Sequence, residues 1–225
     1  MSNDAKLTNT SLRTPKAAAV AGILFSILTI TIFWLLRSSF PTHPSSALAT
    51  LNRSATTIAF AIYLVPFSGV AFLWFIGVLR DRLGRREDQF FATVFFGSGL
   101  LFIAMFFSAA AIVGSIVVAF ATKPDQSINP ETFVFVRSLA FNLMNVFALK
   151  MAAVFMISTS VVIARTRAAP RYLAYLGAVS ALFILVASQS LDWAFLVFPI
   201  WVLLFSTQVL VDNFRGPAEL PLRSP

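Results

Sequence analysis

The chain has 225 residues, of which 58% are hydrophobic and only 12% charged, with a net charge of +8 and no cysteine. A soluble domain carries about 25% charged residues, so this composition excludes an ordinary water-soluble globule. The missing cysteine excludes disulfides, thiolate metal sites, cysteine nucleophiles and palmitoylation.

The first 16 residues are polar and read as a flexible tail. An uncharged run, 17–36, then lies between Lys16 and Arg37. A helix rises about 1.5 Å per residue and the hydrocarbon core of a bilayer is roughly 30 Å thick, so about 20 apolar residues span it. The run is a first transmembrane span. It exceeds the apolar core of a secretory signal, about 7–15 residues, so it is expected to be retained although Ala47-Leu48-Ala49 is a passable cleavage site. The segment 37–53 is the longest predicted loop. It holds the only histidine, His43, and no further ligands spaced for a metal.

The second span is predicted at 54–79, where Pro66, followed by Ser68 and Gly69, should kink it. The third, 90–121, lies in an uncharged run of 34 residues. Such a helix is about 51 Å long, so it should tilt, project, or break near Gly114-Ser115. The fourth, 133–164, is apolar but carries Arg137 and Lys150. The fifth and sixth, 172–190 and 193–211, flank Asp192, and Pro199 should kink the sixth. Residues 212–225 form a tail whose Pro217, Pro221 and Pro225 oppose helix. Trp34, Trp74 and Trp193 are placed to anchor at the membrane interface. The phenylalanines, 25 in all, supply lipid contact and packing.

The expected fold is therefore all-α: a six-helix transmembrane bundle, one membrane domain over 17–211, with both termini cytoplasmic. Counting charges supports that orientation. Lys6, Arg13, Lys16, Arg80, Arg82, Arg85, Arg86, Arg165, Arg167, Arg171, Arg215 and Arg223 fall inside, 12 of the 17 Lys and Arg residues. Arg37, Arg53 and Lys123 fall outside, a strong positive-inside bias. These basic residues flank apolar helices, so their partner is the anionic headgroup layer of the cytoplasmic face and not nucleic acid. No loop is long enough to fold by itself. Any chemistry lies inside the bundle or in a partner.

Lys150 lies 13 residues from Arg137 and 15 from Arg165, near mid-span. Lysine there costs about 2.5–3.5 kcal/mol on insertion scales. None of the nine acidic residues falls in the middle of a span. Three resolutions are open: a neutral amine, hydrogen bonds to Asn142, Asn145, hydroxyls or freed carbonyls, or a wet cavity that attracts an anion. In an ideal α-helix Asn142 sits about 80° round from Lys150, on an adjoining face. Lys150, Asn142 and Asn145 form the candidate intramembrane polar site, as inter-helix glue or as a solute path. Ser158-Thr159-Ser160 reads as packing.

The second candidate is the turn 77–86, Gly-Val-Leu-Arg-Asp-Arg-Leu-Gly-Arg-Arg. It resembles the Gly-x-Leu-x-Asp-Arg-x-Gly-Arg-Arg loop signature of the major facilitator transporters, which also follows their second span on the cytoplasmic side. The resemblance covers ten residues, and Arg80 stands where that family has a small residue. It implies a conformational gate built from Gly77, Asp81, Arg82, Gly84 and Arg85. That family has twelve spans, so a six-span chain would act as a dimerised half-transporter. The stretch 74–101, with Phe90-Phe91 after the turn, is similar to a group of uncharacterised bacterial multi-pass proteins. That resemblance implies a bacterial inner-membrane location and no activity.

No catalytic, cofactor-binding or metal constellation is present in the sequence. The expected role is a non-catalytic structural or accessory membrane component, in a homo-oligomer or membrane complex. The alternative is passage of a small solute or ion.

Overall fold

A computed structural model describes residues 14–40, 44–83, 89–122, 129–166 and 170–214. Among them the chain is helical, with no strand. In chain order the elements are α1 (Thr14–Ser39), α2 (Pro44–Leu83), α3 (Gln89–Thr122), α4 (Pro130–Asn142), a π-helical turn (Leu143–Ala148), α5 (Leu149–Thr166), α6 (Arg171–Ala187), a 3₁₀ turn (Asp192–Leu196) and α7 (Val197–Phe214). The fourth rod is continuous through α4, the π turn and α5, and the 3₁₀ turn leads into α7, so six rods result. Five stretches are long and apolar enough to cross a membrane: Ala17–Ser39, Arg53–Arg80, Thr93–Ala119, Pro130–Arg165 and Trp193–Asp212. The shorter α6 has 17 residues.

Several expected boundaries and bends differ. The segment 44–53 is not loop but the start of α2. α2 keeps Pro66 inside one continuous helix, where a proline bends a helix without ending it. α3 is unbroken at Gly114-Ser115, where the Ser115 hydroxyl donates to the Ala111 carbonyl at 2.8 Å. Pro199 falls in the first turn of α7, where its missing N–H leaves nothing unpaired. α6 stops three residues early. The N–H groups of Ser190 and Leu191 donate to the Ala187 carbonyl, each at 3.1 Å, and close a turn before the 3₁₀ segment. α4 begins where it does because Asn129 Oδ1 accepts from the Glu131 N–H at 2.9 Å with Pro130 at the first helical position.

Neighbouring rods run antiparallel. Phe25 meets Phe72 and Thr29 meets Ser68, so α1 and α2 advance in opposite directions. Tyr172 meets Gln208 and Phe183 meets Trp193, which does the same for α6 and α7. Five rods converge on one aromatic node, built from Phe25 of α1, Phe72 of α2, Phe102 of α3, Phe155 of α5 and Phe198 of α7. All five side chains are 0% exposed. Their contacting ring centroids lie 4.6–6.2 Å apart, mostly tilted or edge-on, the favoured range for aromatic pairs. α6 lies outside this node, against α5 and α7.

Close approach of the rods needs small residues. A Cβ on Gly22 would overlap Ser206 Oγ, and one on Gly177 would overlap Ser160 Oγ and stand 2.7 Å from Trp201 Nε1. Several hydroxyls bond within their own helices: Ser26 donates to the Gly22 carbonyl, Thr31 to Ile27, Ser108 to Ala104 and Thr159 to Phe155, each at 2.8 Å. Between rods, Thr29 Oγ1 and Ser68 Oγ share a buried hydrogen bond of 2.7 Å. The exterior carries many large apolar side chains, with Leu24, Ile27, Phe60, Phe135, Val179 and Val186 among them. A soluble monomer does not present such a surface.

Truncating the node should show its weight. Phe72→Ala is expected to destabilise the bundle by about 3–5 kcal/mol. Phe60→Ala, on the exposed face, should change stability by far less. Thermal unfolding of both variants in the same detergent checks the difference.

Candidate functional site

The fourth rod carries the chemistry. α4 presents Arg137, Ala140 and Phe141 to the space beside α1, and the π turn extends that face with Met144 and Asn145. A π-helical turn bonds i to i+5 and accommodates an extra residue, which rotates everything downstream relative to α-helical register. The rotation lets α4 face a cleft while α5 turns Ala152, Ala153, Met156 and Thr159 into the core. It also cancels the ideal-helix relation of Asn142 to Lys150, because the π turn separates them. Asn142 is exposed. Asn145 is 8% exposed, and its amide N–H donates to the Phe141 carbonyl at 3.2 Å. Lys150 is half-buried, and no hydrogen bond or ion pair joins it to another described residue. Of the three residues only Asn145 lines the cleft.

The cleft has a volume of about 240 Å³. α1 supplies Ile32, Phe33, Leu36 and Arg37, Phe40 follows just beyond its end, and α3 supplies Phe106, Ala109, Ala110 and Val113. Val65 of α2 and Phe195 of the 3₁₀ turn complete it. α1 and α4 flank it without packing closely on each other. At one end they meet through Phe40 stacked on Phe133 at 6.3 Å. In the wall, Phe106 stacks on Phe102 of the aromatic node at 5.9 Å. The lining is apolar except for Arg37, Arg137 and Asn145, and no acidic side chain is among the described lining residues.

The second candidate, the segment 77–86, is helical through Leu83. Gly77 is part of α2, with open space where a Cβ would stand. The expected turn therefore does not begin at Gly77. Arg80 lies 5.2 Å from the Phe96 ring centroid, a cation–π contact tying the end of α2 to α3. Asp81 and Arg82 lie on α2, whose description there extends to the backbone alone. Gly84 and Arg85 lie outside the described residues, as do His43, most of the N-terminal tail (1–13) and residues 215–225.

Trp34, Trp74 and Trp193 are exposed, and Trp201 is buried with its indole N–H donating to the Leu173 carbonyl at 3.5 Å. The Ser158-Thr159-Ser160 run is buried between helices. Among the described residues no cluster of His, Cys, Asp or Glu could hold a metal.

Sequence reasoning missed the cleft. Arg37 read as a flanking charge and Arg137 as an interruption of the fourth span. Nothing in their spacing of 100 residues says that one cleft holds both. No protein-family model matches the chain, and no curated protein or solved structure matches it either.

Lys150 gives a direct test. If its ammonium only adds an insertion penalty, Lys150→Met should leave the fold intact and favour the inserted state by up to about 2.5–3.5 kcal/mol. Thermal unfolding in bilayer discs reads the sign.

Proposed function

We propose that the chain is a multi-pass integral membrane protein with both termini cytoplasmic and a non-catalytic, structural or accessory role. The observation that carries this reading is the aromatic node. Five buried phenylalanines fill the centre of the bundle where a solute path would run. The exposed apolar exterior supports burial in lipid, and the distribution of 12 basic residues on one side supports the orientation. Anionic headgroups at the cytoplasmic face are the proposed partner of those residues, with a second copy or another membrane protein as the partner of the bundle, and no nucleic acid. The bacterial inner membrane is the proposed location.

One observation favours the alternative, a small-solute or ion transporter that acts as a dimerised half-transporter, with Gly77, Asp81, Arg82, Gly84 and Arg85 as its cytoplasmic gate. The cleft reaches Asn145 in the middle of the fourth rod. Reaching the other face would require the five-phenylalanine node to part.

Two measurements decide. The cysteine-free chain accepts single cysteines cleanly. Arg82→Cys should react with a membrane-impermeant maleimide only from the cytoplasmic side, and His43→Cys only from the opposite side. Vesicles reconstituted with the protein should conduct ions and small solutes no faster than protein-free vesicles. A saturable flux, abolished by Lys150→Met with the fold intact, would transfer the assignment to transport.

A further inference from the structure

The cleft between α1 and α4 has a specific chemical character. Its walls are phenyl rings and small aliphatic side chains, and its charged groups are two guanidiniums. Arg137 is the eighth residue of α4, so it sits about 10 Å along the helix axis from Pro130. A guanidinium at that depth in an apolar rod calls for an anion, and no carboxylate among the described residues lines the cleft to supply one. Asn145 adds a polar side chain, 92% buried by its 8% exposure, to the same lining. With a water's share of liquid volume near 30 Å³, the cleft has room for roughly eight groups of that size, the bulk of a short length of alkyl chain. Along the cleft α1 and α4 are not closely packed on each other, so an acyl chain can lie between them.

We infer that this cleft holds a membrane lipid, one acyl chain among Phe106, Ala110 and Phe141 and an anionic phosphate headgroup at Arg37 and Arg137. Charge complementarity selects the headgroup. Guanidiniums bind phosphate oxygens bidentately, whereas a zwitterionic headgroup brings its own cation to compete. The alkyl walls select a lipid over a free ion. The π turn matters to the site because it extends the α4 face far enough to put Met144 and Asn145 beneath the headgroup position. The inference is independent of the non-catalytic reading above, since a transporter or an accessory subunit could hold the same lipid.

The test uses the full chain in discs of phosphatidylcholine, with phosphatidylglycerol as the anionic probe and native mass spectrometry and thermal unfolding as readouts. Wild type should retain phosphatidylglycerol over phosphatidylcholine by about tenfold. Arg137→Gln and Arg37→Gln should each bring that preference down to about threefold or less. Arg53→Gln, an exposed arginine outside the cleft, should leave it unchanged. Ala110→Leu, which fills the alkyl wall, should lower lipid retention with both arginines in place. A photoactivatable acyl chain on the same probe should label Phe141 or Met144 in the wild-type protein, which keeps the test decisive if a variant misfolds. Equal retention of both lipids, equal protection by inorganic phosphate, loss in Arg53→Gln as large as in Arg137→Gln, or labelling elsewhere each overturns the assignment.

Discussion

Five phenylalanines meeting at one point hold this bundle in register. In lipid, helices gain nothing from removing apolar surface from water, because the surrounding chains are as apolar as leucine. What remains is close packing, and rings supply more contact per residue than any aliphatic side chain. Phe72 is the centre of the node, within 4.6–6.0 Å of Phe25, Phe75, Phe102, Phe155 and Phe198. Rings of that size demand that the rods approach closely elsewhere. Gly22 and Gly177 provide those approaches, at positions where any side chain would strike a neighbouring hydroxyl. Large rings at the centre and glycines around them are two halves of one packing solution.

The same constraint explains the π turn. The fourth rod has different neighbours along its length: its first half lies beside α3 and the cleft, and its second half packs against α3 and α6. A straight α-helix keeps one face throughout. Six residues of π-helix, Leu143–Ala148, reset the face between the halves. The cleft is a by-product of that reset. α4 is held off α1, except where Phe40 stacks on Phe133.

Much of the architecture was legible because charge marks the ends of apolar helices. The rods lie where the uncharged runs lie, and the long run at 89–122 became one helix despite Gly114 and Ser115. Charge could not mark what happens between ends. α2 begins at Pro44 because its first turns, although polar enough to read as loop, carry no helix breaker after the proline. The inward faces were also hidden. In a water-soluble helix an apolar stripe shows which side is buried. Here Phe72 inside and Leu73 outside are equally hydrophobic, so the pattern is silent on orientation. Of the candidate site, Asn145 was recognised as polar and deep. Its cleft was invisible, because Arg37 and Arg137 are joined only by tertiary packing.

Arg137 and Lys150, the two cations inside the apolar run of the fourth rod, illustrate how position decides chemistry. Both interrupt an apolar run, and from sequence Lys150 is the more expensive because it is deeper. The fold treats them differently. Arg137 faces a cleft shared with a second arginine and a buried amide, so its charge has a shaped environment that an anion can complete. Lys150 lies beyond the π turn, half-buried and outside that cleft. An ammonium on a flexible four-carbon stem can bend toward any wetter neighbour, whereas a planar guanidinium presents its donors in a rigid fork. The residue whose donors are fixed toward one lining is therefore the better guide to a site, and in this chain it is the arginine.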